Sequence, residues 1–200
     1  MKSMQLPKMS TVKPAVAFLQ DDEIKTNHLD QNFEQKAPNL VWVSDITYIK
    51  ASSKWYYLCV IIDLYSRKVI AWDISAKPDA DLVISVFNKA YAKRNISAGL
   101  MFHSDRGTQY TAFKFRKLLD ELNVVQSFSK KGYPFDNAVA ESFFKYLKKE
   151  ETNRRTFSSL SELKLSVFEY IEGFYNSKRP HSSLGYLTPN EKEQKFYSII

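Results

Sequence analysis

Three carboxylates in this 200-residue chain sit where an acid is costly unless positive charge meets it. Asp45 lies inside VSDITYI (residues 43–49), where Val43, Asp45 and Thr47 alternate with Ser44, Ile46 and Tyr48. With Val43 turned to a core, Asp45 faces the same way, and a buried carboxylate calls for an ion pair or a metal. Asp105 follows a short apolar run in HSDRGTQY (residues 103–110), beside Gly107. Strand ends next to such loops are where open α/β sheets place functional groups. Glu141 falls in the first turn of a helix expected from Ala138, in DNAVAESFFKYLKKE (residues 136–150). Each acid alone has an ordinary use. Asp45 can pair with a lysine, Asp105 can cap the turn before Gly107, and Glu141 can complement a helix N-terminus. Converging, they would repel one another without a cation. All-oxygen ligands suit magnesium or manganese. Two such ions about 3.5–4 Å apart serve in-line phosphoryl displacement, so two Mg2+ or Mn2+ ions are the expected cofactors.

The flanking sequence supplies elements to hold these groups. Residues 40–50 alternate with a strand period, KWYYLCVIID (residues 54–63) reads as a buried strand, and residues 68–74 complete an antiparallel meander. Residues 79–94 carry Leu82, Val83, Val86, Phe87 and Ala90 at helical spacing. A short strand follows at 100–103. A helix over 111–122 turns Phe113, Leu118, Leu119 and Leu122 inward, and a strand spans 124–128. Residues 129–137, with Gly132 and Pro134, read as a mobile loop. Helices are expected over 138–151 and over 161–175, the latter with Leu163, Val167, Tyr170, Ile171 and Phe174 as its stripe. Thr188-Pro189-Asn190-Glu191 forms a capping box opening a last short helix. Asp63 reads as a turn residue with Arg67 as a partner. Asn137 can cap the helix after it. Residues 1–38 read as a tail or linker, with a short helix near 15–25. The order β-β-β-α-β-α-β-α-α describes an α/β fold: a mixed five-stranded sheet with helices on both faces. Strands one and four can then be parallel neighbours, setting Asp45 beside Asp105.

Charge gives the partner class. Lys and Arg number 29 against 22 Asp and Glu, a formal net charge of +7. The excess lies between residues 39 and 157; the two ends balance at five against five. It is densest around Lys130, Lys131, Lys145, Lys148, Lys149, Arg154 and Arg155. A basic face points to a polyanion, although solubility alone can explain one. Lys148 comes two helical turns after Glu141 and returns to its face, with Lys145 and Lys149 beside it, which suits phosphate contacts. Trp42, Trp55 and Trp72 fall on strands as core or sheet surface, with base stacking as the alternative use. No run of about 18 apolar residues occurs, so no membrane partner is expected. The N-terminus lacks an apolar signal-peptide core and Cys59 is the only cysteine, which fits a reducing cytoplasm.

At these residues the chain resembles the catalytic core of the DDE transposase and retroviral-integrase superfamily. It is most similar to the larger subunit of bacterial insertion-sequence transposases made beside a small helix-turn-helix partner. The resemblance rests on PNLVWVSDITYI (38–49), YLCVIIDLYSRKVIAW (57–72), HSDRGTQY (103–110), SKKGYPFDNAVAESFFKYLKK (129–149) and YIEGFYNSKRPHSSLGYLTP (170–189). Thirty-five residues separate Asp105 from Glu141, the spacing characteristic of that family.

The resemblance implies a ribonuclease-H-like core over 39–157, a helical C-terminal extension over 158–200, and a linker remnant over 1–38. It makes Asp45, Asp105 and Glu141 the catalytic metal ligands and Lys148 a contact to element-end DNA. Lys145, Lys149, Lys131, Asn137, Arg179 and His181 join it as DNA-contact candidates, and His103 supports the ligands from behind. The implied reaction is hydrolysis at an element end, then attack of the freed 3′ hydroxyl on another DNA phosphate, localised to the bacterial nucleoid. The implied partners are element-end and target DNA, further copies of the chain on that DNA, and the helix-turn-helix protein. Family members usually carry more N-terminal sequence, so a shortened copy acting as a DNA-binding or regulatory module is one alternative. A ribonuclease-H-like nuclease is the other.

Overall fold

β1 (Val41–Ala51) is the axis on which the other strands are built. A computed structural model describes residues 25–96, 99–130 and 132–199. β1 and β2 (Lys54–Asp63) pair antiparallel from Trp42 opposite Asp63 to Ala51 opposite Lys54. They turn through Ser52 and Ser53, whose φ values of 47° and 61° make a two-residue turn that follows the strand twist. β3 (Val69–Ser75) pairs antiparallel with β2, shifting register at Ile61/Ile62. On the other side of β1, β4 (Met101–Ser104) runs parallel, Val41 opposite Met101 and Val43 opposite His103. β5 (Val125–Phe128) continues parallel to β4. The order β3-β2-β1-β4-β5 is the mixed five-stranded sheet the sequence predicts, with strands one and four adjacent. β4 pairs with β1 only at Val41–Val43, which leaves the second half of that β1 edge without a strand among the described residues.

Alternation along β1 and β2 sends side chains to two cores. Val43, Val60 and Ile62 meet α4 (Ala138–Leu147) and α5 (Leu160–Phe168) through Phe143, Leu147, Leu163 and Val167. Trp42, Ile61 and Phe102 meet α1 (Ala80–Lys93) and α3 (Phe113–Glu121) through Val86, Phe87 and Phe115. α1 is capped by Asp79, whose side chain accepts from the Leu82 N–H. Thr188 and Glu191 make the expected capping box on α6 (Pro189–Tyr197).

Several boundaries differ from the sequence expectation. The helix expected over 111–122 is two pieces, α2 (Thr108–Thr111) and α3, parted by extended backbone at Ala112. That break rotates the stripe, so Phe113 is 80% exposed while Tyr110 and Phe115 are buried. The helices expected to run to Glu151 and Tyr175 both end in wider π turns, at Lys148–Thr152 and Glu169–Tyr175. A π turn adds a residue and moves the stripe by one. Tyr175 is therefore buried in place of Phe174, which is 39% exposed.

Residues 25–38 are no free linker. Leu29 is buried, the His28 and Leu29 N–H groups donate to Ser127 Oγ, and the Phe128 N–H donates to the Thr26 carbonyl. The C-terminal extension likewise shares the core beneath α4 through Leu163, Val167 and Ile171. The short helix expected near 15–25 lies outside the described residues apart from Lys25.

Candidate active site

The parallel register of β1 and β4 builds the first half of the site. Val43 stands opposite His103, and two residues further along each chain Asp45 and Asp105 line the same cavity. α4 supplies the rest. It packs through Ala140, Phe143, Phe144 and Leu147, which leaves Glu141 on its exposed side. Asp45, Asp105 and Glu141 line one cavity of about 350 Å³, together with Arg106, Lys130 and Asn137.

The electrostatics are those of an under-compensated acidic cluster. Burial holds the Asp45 carboxyl up at about 7. The Ile46 N–H and Lys148 draw it down, and the charges of Asp105 and Glu141 add to the rise. Asp105 Oδ1 accepts from the Gly107 N–H at 3.0 Å, the turn contact expected of it. The donor set is all carboxylate oxygen, which fits a hard divalent cation. Among the described residues, no three His, Cys, Asp or Glu stand together at ligating distance.

The loop before α4 is tied down by Asp136. Its carboxylate accepts from Asn27 Nδ2 at 2.9 Å, Gln31 Nε2 at 2.8 Å and the Lys130 N–H at 2.8 Å. This anchoring by residues 25–31 was not foreseen, because a scatter of polar side chains has no period to read. Arg106 was also overlooked. It donates to the Ser129 and Lys25 carbonyls from the cavity wall, and its position directly after Asp105 was the available signal.

The remaining residues fall into three groups. Lys148, Lys145 and Lys149 follow Glu141 along α4 and its π turn, and Lys148 Nζ lies 4.8 Å over the Tyr48 ring. Asn137 makes no side-chain cap, which corrects the capping expectation; instead its Nδ2 donates to the Ser44 carbonyl, tying α4 to β1. His103 is buried, bonded to Ser127 Oγ at 2.9 Å and Ser129 Oγ at 3.2 Å, and burial holds its pKa down at about 4. Its ring nitrogens therefore meet Ser127 of β5 and Ser129 just beyond it. Arg179 forms a forked pair with Glu150 at 2.9–3.2 Å and lies 4.1 Å over the Tyr146 ring. His181 meets the Tyr175 ring edge-on at 4.8 Å. Asp63, expected at a turn, accepts from the Tyr65 and Ser66 N–H groups. Lys131 lies outside the described residues.

A five-stranded sheet in this order, with helices on both faces and acids gathered where strands one and four lie parallel, is the ribonuclease-H-like fold of transposase and integrase cores. The chain belongs to the integrase core domain family, whose profiles match residues 35–134 and 122–189. It is 40% identical over 170 residues to the transposase for insertion sequence element IS904 of Lactococcus lactis, covering 85% of this chain and 67% of that protein. Transposase InsF for insertion sequence IS3A of Escherichia coli K12 is 39% identical over 172 residues, 86% of this chain and 60% of that protein. The chain thus spans about three-fifths to two-thirds of these relatives' lengths. Among solved structures, the HTLV-2 integrase catalytic core domain in complex with magnesium (trimeric form) superposes with a TM-score of 0.58 at 16% identity, over 80% of this chain and 99% of that one. That likeness is one of fold. No helix among the described residues is long and apolar enough to cross a membrane.

Proposed function

We propose that this chain cuts and joins DNA as the catalytic core of an insertion-element transposase. The observation that carries the reading is that Asp45 of β1, Asp105 of the loop after β4 and Glu141 of α4 line one open cavity. Kinship with two insertion-sequence transposases supports it. Two magnesium or manganese ions bound there would supply positive charge to the attacking and leaving oxygens. The magnesium in the name of the HTLV-2 core is consistent with that choice.

The chain's own part is placement. Asp45 is fixed by β1, Asp105 by the turn its carboxylate makes with the Gly107 N–H, and Glu141 by the packed face of α4. Lys148, Lys145 and Lys149 hold phosphates along the same helix. Water attacks the phosphorus at an element end, the bond to the 3′ oxygen breaks, and a 3′ hydroxyl is freed. That hydroxyl attacks a phosphorus of a second DNA, forming a new ester as the target's own 3′ oxygen leaves. Assembly of several copies on DNA, and end recognition by a helix-turn-helix partner, complete the proposal.

The test is Asp105→Asn in strand-cleavage and strand-transfer assays with magnesium or manganese. The expected loss is about two to three orders of magnitude or more, the scale of removing a preorganised electrostatic contact. DNA affinity should stay close to that of the parent. Unchanged strand transfer would sink the assignment, and nicking without joining would point to a nuclease.

A further inference from the structure

Past Asp45, the far end of β1 lines a second cavity of about 720 Å³. Its walls combine Tyr48, Trp55 and Phe157 with Lys50, Lys148 and Arg155. Tyr48 and Trp55 are 58% and 53% exposed, and their rings meet edge to face at 5.2 Å and 84°. They form a right-angled corner whose ring area stays in water until something covers it. Lys148 Nζ sits over the Tyr48 ring, and Arg155 lies 5.5 Å from the Phe157 ring while pairing with Glu151.

The cavity's place is fixed by the same two elements that carry the acids. Tyr48 is three residues beyond Asp45, about 10 Å at the rise of a strand. Lys148 is seven residues beyond Glu141, about 10 Å at the rise of a helix. Both routes end at one contact, Lys148 on Tyr48. A DNA strand with a phosphate at the carboxylates reaches this corner within its next few nucleotides.

We infer that this cavity is a subsite for an unpaired base of the strand held at the carboxylates. The base stacks on Trp55 with the Tyr48 ring standing across its edge, and Lys148, Lys50 and Arg155 attract its phosphates. Aromatic platforms within a basic groove are how single strands are held, and stacking is sequence-tolerant because every base has a free face once unpaired. In a duplex that face is hidden, so the corner discriminates an opened end from a closed one. The three cations favour a polyanion over an apolar segment of another protein. The identity of the strand rests on the transposase reading; the corner itself does not.

The test compares binding of the full chain to a blunt labelled duplex and to the same duplex ending in three unpaired nucleotides, measured by anisotropy without divalent metal so that nothing is cut. The unpaired end should bind more tightly. Trp55→Ala should lose about tenfold on the unpaired end, the effect of removing one stacked base contact, and less than twofold on the blunt end. Trp55→Phe should restore most of the loss. Trp55 is half in water, so its truncation should lower the melting temperature only slightly. Equal binding of both ends by the parent chain overturns the inference. So does an equal loss on both ends, or a Trp55→Ala chain that changes its oligomeric state while binding DNA normally. Asp105→Asn, assayed on the same ends, separates the two readings. If it cleaves, the transposase reading fails. If it is inert while Trp55→Ala binds both ends like the parent, only the stacking subsite fails.

Discussion

The molecule holds two acidic groupings built on opposite terms. At the end of the sheet where β1 begins, Asp63 and Glu193 are both buried and both answered. Asp63 accepts from the Asn39, Tyr65 and Ser66 N–H groups at 2.7–3.3 Å. Glu193 takes Arg94 at 2.7 Å, Lys68 at 3.1 Å and Ser66 Oγ at 3.0 Å. Burial pushes Glu193 up, but Arg94 and Lys68 outweigh it and hold the carboxyl below its usual range. Burial raises Asp63 and Asp45 alike; at Asp45 the charges of two acids, Asp105 and Glu141, add to the rise, against one, Glu193, at Asp63. One cluster fastens α6 to the β2–β3 turn and the end of α1. On the proposed reading, the other would hold its negative charge for divalent cations. Acidic residues alone do not mark a site; acids left unanswered beside a cavity do.

The contrast is broken or kept by a matched pair of isosteric changes. Asp45→Asn should cost cleavage about two to three orders of magnitude or more. In metal-free buffer it should leave the melting temperature equal or higher, because a like charge has gone. Glu193→Gln should do the reverse. Leaving Arg94 buried without its carboxylate costs about 3 kcal/mol or more. That is roughly 10 °C in melting temperature for a chain of this size, with activity per folded molecule unchanged. Calorimetry and a strand-cleavage assay on the same preparations measure both. Equal destabilisation by the two changes would erase the distinction.

Arg179 tests which grouping the C-terminal motif belongs to. Its fork on Glu150 and its seat on Tyr146 are both planar contacts, and Tyr170 OH adds a bond to Glu150 at 2.7 Å. Lysine keeps the charge and loses the plane. Arg179→Lys should therefore cost about 1–2 kcal/mol of stability, with little change in DNA affinity at temperatures where the chain is folded. The opposite result, intact stability and weakened DNA binding, would move Arg179 from the fastening to the substrate surface.

What the sequence showed and hid follows from how far each signal travels. The sheet order was legible because β1 alternates and β2 is unbroken apolar and aromatic sequence. A parallel β1–β4 pair then sets Asp45 by Asp105 without further information. The π turns were hidden, since one inserted residue leaves a 3.6 period looking intact until Tyr175 rather than Phe174 is found buried. The anchoring of residues 25–31 was hidden because it runs through single polar bonds to Ser127 and Asp136. Asn137 misled for a related reason: its place before α4 suggests a cap, while its side chain reaches back to the Ser44 carbonyl.

The smallest predicted effect is the most specific. Lys148 is the cation whose charge reaches Asp45, and its Nζ rests on Tyr48. It bridges the acidic cavity and the aromatic one. As a phosphate contact it should contribute about one unit to the slope of log affinity against log salt. Lys148→Ala should thus flatten that slope by about one for element-end DNA, while Lys192→Ala, which removes a lysine seated on Tyr65 in α6, should leave it alone. A slope unchanged in Lys148→Ala would take this lysine off the DNA. The link between the two cavities would then rest on geometry alone.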